Sequence, residues 1–141
     1  MFNNSSVSFR DKWKKNPNAF FGETLRKGSD TQNWILNRNG FQSCDHFSSH
    51  IKMSQRILDA GCGNGRVTAL LKTLASDLTE IVGIDLVSAD LARDNFVGID
   101  GVSFETRDLL DDLTGLGTFD FIYCQEVLHH TIDPLRCFNN L

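Results

Sequence analysis

Ile57-Leu58-Asp59-Ala60-Gly61-Cys62-Gly63-Asn64-Gly65-Arg66 sets an acid and three alternate glycines directly after an apolar run and directly before an amphipathic helix pattern. Arg56 to Ala60 reads as the end of a buried strand. The glycines let the chain turn sharply without a Cβ, so backbone N–H groups can come close to a ligand. The helix that follows aims its positive end at the same spot. A dinucleotide-binding fingerprint, G-x-G-x-x-G, would need glycine where this chain has Arg66, which argues against a nucleotide-dependent oxidoreductase.

Outward from that turn, strand and helix patterns alternate. Val67, Leu70, Leu71 and Leu74 follow the i, i+3, i+4, i+7 rule and give one apolar helix stripe. Ile81 to Asp85 is an apolar run ending in an acid, and Ser88 precedes a second helix pattern with Leu91 and Ala92. A third strand begins at Val102, before an acidic loop from Asp108 to Asp112, and a fourth lies within Phe119 to Cys124. Asp133-Pro134 starts a last helix, with proline in its first turn, expected to carry Leu135, Phe138 and Leu141 inward. Such alternation implies parallel strands joined by right-handed crossovers. Before this unit, the stretch to Asn18 is polar and expected to be loose, with a break at Pro17. Between Ala19 and Met53 the spacing is helical in places, with Trp34, Ile35, Phe41 and Phe47 as apolar positions. Asp30 or Thr31 is the expected cap of a helix holding Trp34 to Arg38 and ended by Asn39-Gly40. The chain therefore divides into a helical cap over residues 1–53 and a sheet unit over residues 54–141.

The pattern D-x-G-x-G-x-G from Asp59 to Gly65 resembles motif I of the class I S-adenosylmethionine-dependent methyltransferases. Ile81-Val82-Gly83-Ile84-Asp85, Val102 to Leu109, and Phe119 to His130 fall in that family's order for its second, third and fourth strands. The resemblance runs from about Arg56 to Leu141. It implies an α/β, Rossmann-like parallel sheet of the order 3-2-1-4-5-7-6, of which this chain reaches the helix after strand four. A sheet stopping after about four strands would leave an apolar edge, a liability that folded proteins cover. The expectation is that the chain is a fragment, or that a second copy or partner chain covers that edge.

The resemblance also assigns a cofactor, S-adenosyl-L-methionine, and the residues that hold it. Gly61 and Gly63 would bring backbone amides to the methionine portion, with Cys62 a small residue beside the ligand, and Asp59 would sit near the ammonium. Asp85, with Leu86 following it, would take the ribose hydroxyls, since a carboxylate can accept a diol through two oxygens. Asp108 would accept from the adenine amine, the Leu109 N–H would reach a ring nitrogen, and Gln125 would lie beside the sulfonium. His129 and His130 are the candidate general bases for the methyl acceptor. The plainer reading of that pair is one histidine turned away and one helping a helix start. Methyltransferases of nucleic-acid bases commonly carry an Asn/Asp-Pro-Pro-aromatic motif after strand four. This chain has Gln125-Glu126-Val127-Leu128, which points to the small-molecule group resembling quinone-biosynthesis methyltransferases.

Composition narrows the choice further. A chain of 141 residues, 40% hydrophobic, can bury one core but not two comfortable ones. A net charge of −4 and a pI near 5.4 lack the basic footprint of nucleic-acid binding, and the short run Arg10 to Lys15 reads as a solvated helix face. Cys44, Cys62, Cys124 and Cys137 show neither C-x-x-C spacing nor a histidine partner, so no zinc site or disulfide framework is expected. Reduced thiols fit a cytoplasmic protein. The polar start, Met1 to Ser6, offers no signal-peptide core, and no apolar run is long enough to cross a bilayer. Methyl transfer to a small molecule is the leading function. A non-catalytic S-adenosylmethionine-binding or scaffold subunit, completed by a partner, is the alternative.

Overall fold

The computed structural model describes the backbone from Asn4 to Leu141 and the side chains from Arg10 onward. Four helices come first: α1 (Asn4–Lys15), α2 (Phe21–Leu25), α3 (Asp30–Arg38) and α4 (Cys44–Ile51). Then β1 (Arg56–Ala60), α5 (Arg66–Leu74), β2 (Glu80–Asp85), α6 (Ala89–Asn95), β3 (Val102–Thr106), β4 (Phe121–Tyr123) and α7 (Pro134–Asn140) alternate along the chain.

All four strands are parallel, in the order β3-β2-β1-β4. The register sets Asp59 between Gly83 of β2 and Tyr123 of β4. Side chains alternate across the sheet, so each strand feeds two cores. Ile57 and Ile81 pack with Leu70 and Leu71 of α5 on one face. On the other, Leu58, Ala60, Val82 and Ile84 meet Leu109, Leu113, Leu116 and Cys137 of α7. Ile57, Leu71 and Ile81 are fully buried, each stabilising the fold by roughly 1.5–3 kcal/mol against leaving it in water. The chain runs from β1 outward to β2 and β3, and then back past β1 to β4. The order thus reverses at β1, and the crevice between the carboxyl ends of β1 and its neighbours is where open α/β sheets bind ligands.

The amino-terminal helices share the core of the sheet. Ile35 and Leu36 of α3 and Phe47 and Ile51 of α4 are buried in the cluster that holds Ile57, Leu70 and Ile81. Their ends are fixed by hydroxyls: Ser29 accepts from the Gln32 N–H at the start of α3, and Ser43 accepts from the His46 N–H at the start of α4. Ser29, not Asp30 or Thr31, is therefore the cap. Of the three capping residues in a row, Ser29 is the one with extended backbone, φ −65° and ψ 156°, whose carbonyl accepts the first helical bond from the Asn33 N–H, and the helix ends at Asn39-Gly40 as expected.

Two further expectations are corrected. The polar stretch before Asn18 forms α1 rather than a loose arm, because its fixed contacts lie far away in sequence: Arg10 donates to the Val87 carbonyl at 2.7 Å and pairs with Asp90 at 3.3 Å. Residues 1–3 of that stretch lie outside the described residues. In α7, Leu135 and Phe138 point outward, at 70% and 64% exposure, while Cys137 is fully buried and Leu141 packs against its cluster. Asp133 caps this helix through the Arg136 N–H, and the cap sets which side of its two turns meets the sheet. Ile122, Ile132, Leu135 and Phe138 are all exposed around β4 and α7. No helix among the described residues is long and apolar enough to cross a membrane.

Gly83 shows how closely the layers fit. A Cβ there would lie 2.5 Å from Phe104 Cδ1 and 3.2 Å from the Cys62 sulfur. Gly83→Ala should cost about 1–3 kcal/mol, the usual penalty of overpacking, read as a lower urea midpoint at unchanged slope. An unchanged midpoint would mean that the β2–β3 layer is looser than described.

Candidate functional site

The turn after β1 is fastened before it can serve a ligand. The N–H groups of Gly61 and Cys62 both donate to the Ile84 carbonyl, at 2.8 and 3.0 Å, and the Gly63 N–H donates to Asp85 Oδ2 at 3.0 Å. Asp85 Oδ1 accepts three more donors, the N–H groups of Val87 and Ser88 and the Ser88 hydroxyl. The acid at the tip of β2 thus ties the glycine turn to the next loop. Ser88 gives its hydroxyl to Asp85 and makes no cap bond to α6. Gly61 has φ +84°, and a Cβ on it would fall 2.3 Å from Val127 Cγ2. What the turn offers a ligand is clearance, since its first three amides are already engaged.

Beneath the turn, the Asp59 carboxyl is buried between β1 and α5 and accepts the Thr68 hydroxyl at 2.6 Å. Burial pushes its pKa up to about 7, against the lowering effect of Thr68, with Asp85 adding repulsion. Arg66, at the first position of α5, donates to the Thr24 hydroxyl at 3.0 Å, and burial lowers its pKa. Its charge interacts with Asp59 and with the Tyr123 phenol.

The opposite wall belongs to β4 and the loop after it. Gln125 Oε1 accepts from the Tyr123 hydroxyl and from Asn39 Nδ2, and Asn39 Nδ2 also donates to the Ile35 carbonyl at 2.7 Å. Gln125 Nε2 is buried with no hydrogen-bond partner. Burial raises the Tyr123 pKa, so the phenol stays protonated. Glu126 holds a left-handed backbone, φ +58°, a conformation that a non-glycine residue rarely adopts and that tends to be stored at functional sites. Its side chain pairs with Arg38 at 2.5 Å, which lowers its pKa. The turn Leu128–His130 follows. Loss of some hydration, with the charge of His129 beside it, lowers the His130 pKa from the usual imidazole value.

These groups enclose one cavity of about 410 Å³, within the range of small-molecule sites. Asp59, Gly61, Cys62, Gly63, Asp85, Leu86, Asp108, Leu109, Gln125 and His130 all line it. His129 does not: its Nε2 lies 3.9 Å from Glu126 instead. Asp108 is held by its own loop, its Oδ1 accepting the Leu110 N–H at 3.0 Å. Sequence reasoning missed Lys12, Trp13, Trp34, Arg66, Arg107, Tyr123 and Thr131 as lining residues. In the sequence Arg66 stands out only as the residue that breaks a dinucleotide fingerprint. Trp13 brings α1 over the glycine turn, its ring 3.3 Å from where a Gly63 Cβ would be. Asn64, fully buried, donates to the Pro17 and Ala19 carbonyls at 2.9 and 3.2 Å and so ties the same segment down. Arg10 to Lys15 is therefore in part a cavity wall rather than a solvated face. Among the described residues no group of three or more His, Cys, Asp or Glu side chains is gathered to hold a metal.

A parallel sheet whose order reverses at β1, with a glycine turn and carboxylates at the strand tips, defines a ligand-binding α/β fold of the Rossmann-like kind. Residues 51–141 match the family model described as a methyltransferase domain. The chain belongs to that family. It is 33% identical over 84 residues to the ubiquinone biosynthesis O-methyltransferase of Bordetella avium, covering 57% of this chain and 34% of the relative. It is 27% identical over 117 residues to the juvenile hormone acid O-methyltransferase of Bombyx mori, covering 77% and 42%. The chain thus spans well under half the length of these relatives. Among solved structures, the N-terminal domain of EvdMO1 in the presence of SAH and D-fucose shares the fold at a TM-score of 0.65 and 24% identity, over 99% of this chain and 60% of that one.

The raised Asp59 pKa makes a stability prediction. Between the unfolded value of 3.8 and the folded value of about 7, the native state keeps a proton that the unfolded chain has released. Stability is therefore highest at the acid end of this window and falls as pH rises through it. Asp59→Asn, which cannot ionise, should flatten the fall in melting temperature between pH 5 and 8 in ligand-free protein. Parallel pH profiles for the two proteins would contradict the assignment.

Proposed function

We propose that the cavity binds S-adenosyl-L-methionine and that the protein transfers its methyl group to an oxygen of a small molecule. The observation that carries this reading is the convergence on one cavity of Asp59, Asp85 and Asp108, from the ends of three adjacent parallel strands. These acids suit the cofactor's chemistry: a cationic sulfonium and ammonium, a ribose diol and an adenine amine. The names of the curated relatives, both O-methyltransferases, support oxygen as the acceptor atom and a small-molecule substrate. When bound, the cofactor supplies an electrophilic methyl group.

The chain's own residues would hold and orient. Asp59, its second oxygen still open to hydrogen bonding, faces the ammonium, whose charge favours the ionised carboxylate. Asp85 already accepts four donors, so the ribose meets a carboxylate fixed in place, chiefly through Oδ2, which carries one of them. Asp108 and Leu109 take the adenine edge, Leu86 and Cys62 form the walls beside it, and Gly61 and Gly63 leave room for the methionine chain. Gln125 lies at the methyl end. His130, neutral at pH 7 because its pKa is lowered, accepts the proton of the acceptor hydroxyl as the oxygen attacks. Positioning supplies much of the rate in such an in-line displacement. Residues 1–53 act as the cap, with Trp13 and Lys12 closing the cavity mouth and Trp34 facing the acceptor side. The exposed apolar residues beside β4 suit burial by further chain, which would complete the sheet. A cytoplasmic location fits the four free cysteines. A silent scaffold subunit is the weaker reading, because it leaves the lowered His130 pKa and the strained Glu126 without a use.

Calorimetry with S-adenosylhomocysteine tests the cofactor. Wild type should bind it and ignore NAD, and Asp108→Ala should weaken binding by roughly tenfold, the effect of losing a hydrogen bond to a charged group. No binding by wild type would remove the proposal. Given a hydroxyl acceptor found by screening phenols, His130→Gln should lower kcat by about 10²-fold or more at unchanged S-adenosylhomocysteine affinity. An unchanged kcat would exclude His130 as the base.

A further inference from the structure

We infer that Arg66 and Gln125 form a carboxylate-recognition corner of the cavity, a role that rests on the cofactor reading of the same cavity. The first observation is the orphaned amide. Asn39 Nδ2 is identified as the nitrogen by its 2.7 Å bond to the Ile35 carbonyl, so the Gln125 atom 3.1 Å from it must be the oxygen. That fixes the orientation of the Gln125 amide and leaves Nε2 as a buried donor with nothing to receive it. A buried donor without an acceptor is costly, and in a cavity wall it calls for an oxygen from the ligand.

The second observation is Arg66. A guanidinium carries five N–H donors in a rigid fork, and the side chain spends one on the Thr24 hydroxyl. The residue lines the cavity and stands at the first position of α5, where the helix dipole disfavours a cation. A bound anion would offset that repulsion and the partial burial of the charge. Tyr123 lines the same cavity as both, and its hydroxyl donates to Gln125. Asp59 lines the same cavity, and its charge is felt by Arg66. An acid for an ammonium and a donor set for a carboxylate, lining one cavity, match the two charges of an α-amino acid. The ligand chemistry is therefore a carboxylate, carried either by the aminoacyl end of the cofactor or by the methyl acceptor.

Calorimetry with S-adenosylhomocysteine and with 5′-methylthioadenosine, which lacks the aminoacyl group, separates the sources in wild type, Arg66→Met and Gln125→Glu. The glutamate keeps an oxygen for Tyr123 and Asn39 but replaces the donor with a negative charge. If the cofactor supplies the carboxylate, both variants should lose roughly ten- to hundredfold in S-adenosylhomocysteine affinity and bind methylthioadenosine within about twofold of wild type. Methylthioadenosine binding also reports that each variant is folded. If the acceptor supplies it, both nucleosides should bind all three proteins alike. Benzoate, added to the protein saturated with S-adenosylhomocysteine, should then raise the melting temperature of wild type and not of the variants. Equal nucleoside binding with no benzoate shift in wild type overturns the inference and leaves the cofactor reading standing. Failure of wild type to bind either nucleoside overturns both.

Discussion

The site depends on one short set of hydrogen bonds, those that pin the turn after β1 to the tip of β2. Ile84 supplies a carbonyl to two consecutive N–H groups, and Asp85 takes the third. Because parallel pairing already holds Asp59 opposite Gly83, this clamp only has to fold the chain back by three residues. It nevertheless decides where everything else points. The direction of α5 fixes Thr68 against Asp59 and brings Arg66 to the cavity wall, and the other half of the Asp85 carboxylate orders the Val87–Ser88 loop on which Arg10 of α1 rests.

A consequence is that cavity-lining groups and bracing groups are the same atoms. Asp85 is both the strand-tip acid and the knot that holds two loops, so its loss would be felt in the fold as well as in the cavity. Asp59 likewise lies under the turn, buried and close to half ionised near neutral pH, where a cation arriving in the cavity would shift it fully to the charged form. The cavity is thus not a passive hole. Its charge state is poised by burial, and a tryptophan of the first helix forms part of its wall.

Much of this was legible in the sequence, for a physical reason. A buried parallel strand must be apolar along its length and is free to carry a polar residue only where it ends, so Asp59 and Asp85 marked their strand tips directly. β1 was placed to the residue, and the start of α7 followed from Asp133-Pro134. What could not be read was anything decided by distant partners. Only part of α1 read as helical, since Val7, Phe9 and Trp13 are too few apolar positions to set its bounds, and its anchors, Val87 and Asp90, are 77 and 80 residues from Arg10. The seven residues of α7 make too few turns for periodicity to choose between Cys137 and its neighbours. Arg66 was visible as an exception to one pattern, yet its use required seeing Thr24, Asp59 and Tyr123 around it.

The place where an adenosyl ligand settles is the most direct test of the cavity's role. A crystal structure of the protein soaked with S-adenosylhomocysteine should show the adenine at Asp108 and Leu109, the ribose at Asp85 and the aminoacyl end between Asp59 and the Gly61–Gly63 turn. Density for the ligand elsewhere on the surface, or a cavity holding only water at saturating ligand, would contradict it.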